Sequence, residues 1–175
     1  MSLVPVLGLA LLFIGGVLFV NGLWIRGIGN DRDVSIFNLL VGIVTFIIVL
    51  WWAFGGESSG GTPFNAAGML LFSMTYLWLA AIAYLGIDDT RSFGWFCLFV
   101  AITAVPTGYL ILTDVGDIGL ALLWFIWVPL WGAFFLVEGL QKEELADSVG
   151  SLTSVEGVIT GVAGYLMVAG FWPII

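Results

Sequence analysis

Long apolar runs alternate with short polar stretches along the whole chain. Six apolar segments can be delimited, at 4–24, 34–54, 65–85, 93–112, 118–138 and 152–173. Each is about twenty residues long, which is the length that an α-helix needs to cross the hydrocarbon core of a bilayer. The runs are continuous, whereas the strands of a membrane β-barrel alternate apolar and polar residues. The pattern predicts an all-α membrane protein built as a bundle of six transmembrane helices.

The positions of the few cationic residues predict how this bundle is oriented. Arg26 and Arg32 fall in the first loop, Arg91 in the third and Lys142 in the fifth. Cytoplasmic loops carry the excess of Lys and Arg, so these three loops are expected in the cytoplasm and both termini outside. The helices then form three helical hairpins, each turning on the cytoplasmic side. Because no linker interrupts the pattern, 1–175 is predicted to be one transmembrane domain.

Composition removes several classes of function. The chain is 61% hydrophobic and 9% charged, has no histidine and has a single cysteine, Cys97. Transition-metal, haem and Ser/His/Asp chemistry lack their usual ligands and bases, so neither an enzyme nor a bound cofactor or metal is expected. The net charge of −8 is unfavourable for nucleic acid. Passive binding or permeation becomes the leading class.

The fifth apolar segment carries an aromatic stripe. On a helix, Trp124, Trp127, Trp131, Phe135 and Glu138 project within an arc of roughly 80°. Tryptophan often marks the membrane interface, but the three Trp residues lie over two turns in the middle of this segment. The stripe therefore lines either a pore or pocket, or a packed helix contact. Glu138 at its end is a charge near hydrocarbon, which is by default a functional candidate.

The first segment has a second stripe, made of aliphatic residues. Leu7, Leu11, Ile14, Leu18 and Asn21 share one arc of roughly 80° on a helix. Such a ridge is typical of core packing or lipid contact. It equally fits one wall of a narrow apolar path, with the Asn21 amide at its cytoplasmic mouth.

Polar groups occur in two further spans. Thr75, Tyr76 and Trp78 lie mid-span in the third segment, and a buried Tyr hydroxyl requires a partner, so Tyr76 either bonds a neighbouring helix or faces a cavity. Glu156 opens the last segment, where an acid is also favoured by the helix dipole. Glu138 and Glu156 flank the same loop, which favours a polar path near them over two unrelated helix ends.

An aromatic slot with apolar ridges and a few oxygen acceptors suits a small, flat, neutral solute that donates hydrogen bonds. A passive channel for such a solute is the leading hypothesis. The alternatives are a proton-coupled small-solute transporter that uses Glu138 or Glu156 as the proton carrier, and a helical scaffold without a pore.

Several stretches, taken in order, resemble the AmiS/UreI family of urea and short-chain-amide channels. They are LGLALLFIGGVLFVNG (7–22), TYLW (75–78), WFCLFVAITAVP (95–106), the three tryptophans of 124–131, and VEG (155–157). The resemblance implies a six-helix protomer with its own pore, in a homo-hexameric ring whose centre is filled by lipid. It also implies a plasma-membrane location, urea or a small amide as permeant, and no cofactor.

By position, the resemblance implies a set of pore-lining residues. They are Leu7, Leu11, Ile14, Leu18, Trp78, Trp124, Trp127, Trp131 and Glu156. Met74 stands where the family pattern has a pore-lining phenylalanine, and Leu120 where a further tryptophan can stand. Glu138 lies one residue further from Trp131 than the pattern places its acid. Because histidine is absent, histidine-based acid gating is not expected, and the channel is predicted to conduct at neutral pH.

Overall fold

A computed structural model of the protein describes residues 3–172, and six long helices account for most of them. Their bounds are α1 Leu3–Ile25, α2 Asp31–Phe54, α3 Pro63–Leu85, α4 Arg91–Leu110, α5 Ile118–Phe134 and α6 Ala146–Val168. α4 continues into a π-helical turn at Ile111–Val115, and α5 into another at Phe135–Gly139. All six helices are long and apolar enough to cross a membrane. The predicted six-helix membrane bundle is therefore confirmed.

Polar caps explain why two helices begin before their apolar runs. The Asn30 side chain accepts a hydrogen bond from the backbone N–H of Asp33 at 2.9 Å, which starts α2. Thr62 and Asn65 form a reciprocal capping box that starts α3. Each cap satisfies backbone donors that the first helical turn leaves free.

The last helix differs most from its predicted range of 152–173. It begins six residues earlier, at Ala146, because polar residues such as Asp147 and Ser151 are accommodated on the first turns of a helix as readily as in a loop. It ends at Val168, and Gly170 then turns the chain with φ of 76°. Position 173 lies outside the described residues.

The helices pack most closely in pairs other than the predicted hairpins. α1 lies against α6, α2 against α3, and α4 against α5. Glycines explain the first pair, because a methyl group at Gly15 would overlap the backbone of Gly161, and one at Gly8 would meet Gly164. Small residues allow backbones to approach where lipid supplies no hydrophobic drive for association. The hairpins still turn at one end of the bundle, but their helices diverge from that end.

The three loops that carry the cations are at this same end. Arg26, after α1, forms an ion pair with Asp147 at the start of α6, with 3.2 Å between Nε and Oδ1. Residues from the third and fifth loops, Asp88 and Gln141, line one common cavity with residues of α1. We call this the inner end of the bundle, and the opposite end the outer end.

Candidate solute pathway

Four aromatic rings meet in the centre of the bundle. Phe72 of α3 contacts three tryptophans of α5 edge-on, with ring centroids 5.9 Å from Trp124, 4.7 Å from Trp127 and 4.8 Å from Trp131. Trp124 and Trp127 also meet edge to face at 5.3 Å. We call these four residues the aromatic cluster. Edge-to-face contacts are the favoured geometry of aromatic pairs, so the rings hold one another at defined angles.

A hydrogen bond ties this cluster to the last helix. The indole N–H of Trp127 donates to the hydroxyl oxygen of Thr160 at 3.0 Å, and both side chains are buried. A buried indole N–H needs such an acceptor. The bond therefore selects one orientation for the central ring of the cluster.

Three cavities follow one another through the bundle. The outer cavity lies on one side of the aromatic cluster, and the middle and inner cavities lie on the other side. Phe72 borders both the outer and the middle cavity. The middle and inner cavities share four lining residues, which are Asn21, Leu79, Phe93 and Phe134. Their volumes are about 40 Å³ for the outer, 20 Å³ for the middle and 300 Å³ for the inner cavity. The middle cavity has room for about one water molecule, so this part of the pathway is narrow.

The outer cavity is bounded mainly by apolar side chains. It lies between the starts of α1, α3 and α5 and the ends of α2 and α4, and its lining includes Leu7, Leu11, Trp52, Leu120 and Trp124. Leu120 thus occupies the wall position where a family tryptophan can stand. Asn65 and Thr107 supply the polar groups of this lining.

The aliphatic ridge of α1 follows the same line of cavities. Leu7 and Leu11 line the outer cavity, while Leu18 and Asn21 line the middle one. Ile14, between them on the same face, is fully buried. The structure thus places the whole ridge towards the interior of the bundle, and only Asn21 reaches the inner cavity.

On α3, Tyr76 faces a cavity, whereas Trp78 does not line the pathway as predicted. Tyr76 is buried and lines the middle cavity. Trp78 packs between α3 and α4, with centroids 5.8 Å from Phe93 and 5.7 Å from Phe96, and lines none of the three cavities. Thr75 lines the middle cavity, and its hydroxyl bonds a carbonyl oxygen of its own helix.

The prediction that Met74 lines the pore is wrong for this structure. Its side chain is 45% exposed and lines none of the three cavities, whereas Phe72, two residues earlier, stands in the aromatic cluster. Two residues on a helix are about 200° apart, so they cannot share a face. The signal that identifies Phe72 is its i, i+4 spacing to Tyr76, which places both on the interior side of α3.

The aromatic stripe of α5 is shorter than its pattern predicts. Phe135 leaves the stripe and packs against Trp95 of α4 at a centroid distance of 4.9 Å. The helix changes to a π-helical turn at this residue, where the N–H of Leu140 bonds the carbonyl oxygen of Phe135. Such a turn accommodates one extra residue in a helix. It explains why Glu138 is one residue further along than the family pattern expects.

The two glutamates occupy different environments. Glu138 lines the inner cavity, and its carboxylate accepts a hydrogen bond from the Thr90 hydroxyl. Glu156 is 4% exposed, lies one helical turn from Thr160 and lines none of the three cavities. Its Oε2 has no hydrogen-bond partner among residues 3–172. Glu138 therefore faces the pathway directly, whereas Glu156 stands behind its lining.

The fold and the site together define a membrane transport protein. Six membrane-length helices surround a line of mostly apolar cavities, and residues 3–172 contain no cluster of three or more His, Cys, Asp or Glu that could hold a metal ion. The family profile of the AmiS/UreI transporters matches residues 6–171, and the chain belongs to this family. It is a transport protein rather than an enzyme.

Individual relatives agree with this assignment. A transporter of amidate substrates from Mycolicibacterium smegmatis is 36% identical over 169 residues, which cover 94% of this chain and 78% of the relative. The acid-activated urea channel of Helicobacter pylori is 28% identical over 195 aligned positions, covering 95% of this chain and 99% of the relative. The crystal structure of the H. pylori urea channel superposes with a TM-score of 0.78 at 30% identity, over 95% of this chain and 99% of that chain.

Proposed function

We propose that the protein is a passive membrane channel for urea or short-chain aliphatic amides, with 1–175 as one channel domain. The observation that carries this proposal is the aromatic cluster, which stands between two cavities inside a single chain. Because these rings meet edge to face, the passage beside them admits only small, flat solutes, and a hydrated ion would lose its water there without replacement oxygens. The family assignment supports the same substrate class.

Each part of the pathway has a role in this proposal. The cluster selects planar solutes, the ridge of Leu7, Leu11, Ile14 and Leu18 seals the passage against ions, and Tyr76 offers a hydroxyl oxygen to the N–H groups of the permeant. Glu138 serves as an acceptor at the inner cavity, whereas Glu156, which lines none of the three cavities, makes no direct contact with the permeant in this proposal.

Stopped-flow light scattering on proteoliposomes tests the proposal. Vesicles with the purified protein should re-swell in urea or acetamide gradients much faster than protein-free vesicles, with weak temperature dependence and no saturation. Because the chain lacks histidine, we expect this flux at pH 7 without prior acidification. Flux that appears only at low pH would contradict the gating prediction, and the absence of flux at any pH would contradict the channel.

A proton-coupled transporter is the second candidate. It is favoured by one observation, the buried Glu156 carboxylate with a partnerless oxygen. In this case Glu156→Gln would abolish uptake, and an imposed proton gradient would drive solute accumulation. In a channel, solute only equilibrates, whatever the proton gradient.

We further propose that the protein forms a homo-hexameric ring in the plasma membrane, with both termini outside and the cation-bearing loops in the cytoplasm. Apolar side chains exposed on the outward faces of α2 and α4, such as Ile47 and Ile102, are available to lipid or to a neighbouring protomer. Native mass spectrometry from detergent measures the subunit number. Cysteine labelling from outside at position 57, in the second loop, and at position 142 measures the orientation, and only position 57 should react.

A further inference from the structure

Two asparagines form a closed pair where the middle cavity meets the inner one. Nδ2 of Asn21 donates to Oδ1 of Asn38 at 3.0 Å, and Nδ2 of Asn38 donates to Oδ1 of Asn21 at 2.7 Å. Each side chain is 1% exposed. The pair joins α1 to α2, and of its two members only Asn21 lines the middle and inner cavities.

The two asparagines differ in how many of their hydrogen-bonding groups are already used. A carboxamide has two N–H donors and one oxygen with two lone pairs. Asn38 uses its second N–H on the carbonyl oxygen of Val34, 3.0 Å away in its own helix, so both of its donors are engaged. Asn21 uses one N–H and one lone pair on Asn38, and one of each remains.

The bond to Val34 also decides which way the pair faces. Amide oxygen and nitrogen are assigned from their hydrogen-bond partners. Because Val34 offers only an acceptor, the nitrogen of Asn38 must point to it, and this fixes Asn38. The reciprocal bonds then fix the amide plane of Asn21, so its free N–H and its free lone pair each keep a fixed direction, on opposite sides of the amide.

We propose that Asn21 is a specificity-determining residue of the permeation pathway and that Asn38 is the positioning residue that holds its amide. This inference rests on the proposed channel function. A urea or amide molecule that leaves the narrow middle cavity has lost its water, and it carries one carbonyl oxygen and at least one N–H. Asn21 offers this molecule one free N–H on one side of its amide and one free lone pair on the other, each in a fixed direction. An ion gains little from a single neutral amide.

The same chemistry makes this contact suitable for passage rather than for trapping. Asn38 keeps the paired edge of Asn21, so the permeant exchanges only one hydrogen bond with Asn21 at a time, and a single bond is readily broken as it passes. A buried donor and acceptor that find partners avoid the penalty of being left unsatisfied. Removal of the Asn21 amide leaves the permeant without this partner as it leaves the narrow middle cavity.

Proteoliposome permeabilities to urea and to water, each corrected for protein-free vesicles, test the proposal. Asn21→Ala widens the passage and removes the amide, so a purely steric role would raise urea permeability. We expect instead about a tenfold fall in urea permeability, the size of one or two lost hydrogen bonds, with water permeability unchanged or higher. Unchanged or increased urea permeability would overturn the role of Asn21.

The positioning role is tested by Asn38→Leu, which leaves Asn21 in place without its partner. Urea permeability should fall, and the double variant Asn21→Ala/Asn38→Leu should fall no further than Asn21→Ala alone. The double variant removes both amides, so it also leaves no unpaired buried carboxamide to prevent folding. Wild-type urea permeability in Asn38→Leu, or additive losses in the double variant, would overturn the positioning role.

Thr45→Val is the matched control, because Thr45 lies on the same face of α2, is buried, and bonds only carbonyl oxygens of its own helix. Its urea permeability should equal that of the wild type. If wild-type vesicles carry urea but Asn21→Ala carries it equally well, the inference on the pair fails alone. If wild-type vesicles carry no urea or amide, the proposed function itself fails.

Discussion

The bond between Trp127 and Thr160 is the most directly testable contact of the pathway. Thr160→Val keeps the shape of the side chain and removes the only acceptor of the Trp127 indole N–H, which is 3.0 Å from the Thr160 oxygen. Both groups are buried, so water cannot replace the lost acceptor. A buried donor left without a partner costs about 1–3 kcal/mol.

This penalty converts into a measurable thermal shift. For a chain of this length, one kcal/mol corresponds to roughly 2–4 °C in the unfolding midpoint, so Thr160→Val should unfold about 2–12 °C below the wild type in the same detergent. Thr160→Ser retains the oxygen and is the control, with a midpoint near that of the wild type. Equal midpoints for the valine and serine variants would refute the assignment of this bond as the anchor of the ring.

The same substitution has a consequence for selectivity. Without the bond, packing still surrounds the Trp127 ring, including contacts with Phe72 at 4.7 Å, Trp124 at 5.3 Å and Trp131 at 6.4 Å, but no hydrogen bond fixes the direction of its N–H. A less restrained ring discriminates less between solute widths. We expect the permeability ratio of urea to N-methylurea to fall in Thr160→Val and to be retained in Thr160→Ser.

Three further predictions concern the cluster, the helix pairing and the inner loop. Phe72→Leu removes the ring that separates the outer from the middle cavity, so permeability to propionamide should rise relative to urea. Met74→Leu, on the outward face of α3, is the control and should leave this permeability ratio unchanged. Gly15→Leu would drive a side chain into the backbone of Gly161, so the folded yield should collapse, whereas Gly27→Ala, in an open loop, should be far milder. Hydrogen bonds from Arg91 lower the pKa of Asp89 to about 2, so this carboxylate stays ionised as the pH falls and loses its ion pair only near pH 2. Carboxyl ¹³C NMR of Asp89 should therefore show no titration between pH 8 and pH 4. A titration midpoint near pH 4 would contradict the ion pair.

The six spans could be predicted because apolar length is a local property of the sequence. The start of α6 could not, since Asp147 and Ser151 are polar in a loop and in the first turns of a helix alike. Helix pairing could not be predicted either, because nothing in the first or the last segment indicates that α1 and α6 are partners. That choice depends on surfaces brought together only by the complete bundle.

The side chains that face the interior of the bundle were predicted best where one helix carried the whole signal. The tryptophans of α5 and the ridge of α1 each lie on one face, and the structure turns both faces inward. Phe72 was not predicted, because the family resemblance indicated Met74 at this position. The i, i+4 spacing to Tyr76 indicates Phe72 instead. The departure of Phe135 could not be foreseen, since a π-helical turn changes the face of every later residue without a compositional mark.

The positions of the polar groups favour the channel over the carrier. Along the cavities, Trp127 is paired with Thr160, Asn21 with Asn38, and Glu138 with Thr90, so the walls are held by bonds within the protein. A proton carrier needs its acid to face each side of the membrane in turn. Glu156 faces none of the three cavities, and the close glycine contact of α6 with α1 opposes a helix movement that would expose it. A neutral solute that moves past a fixed wall requires no such movement, which is why passive permeation is the function this bundle suits.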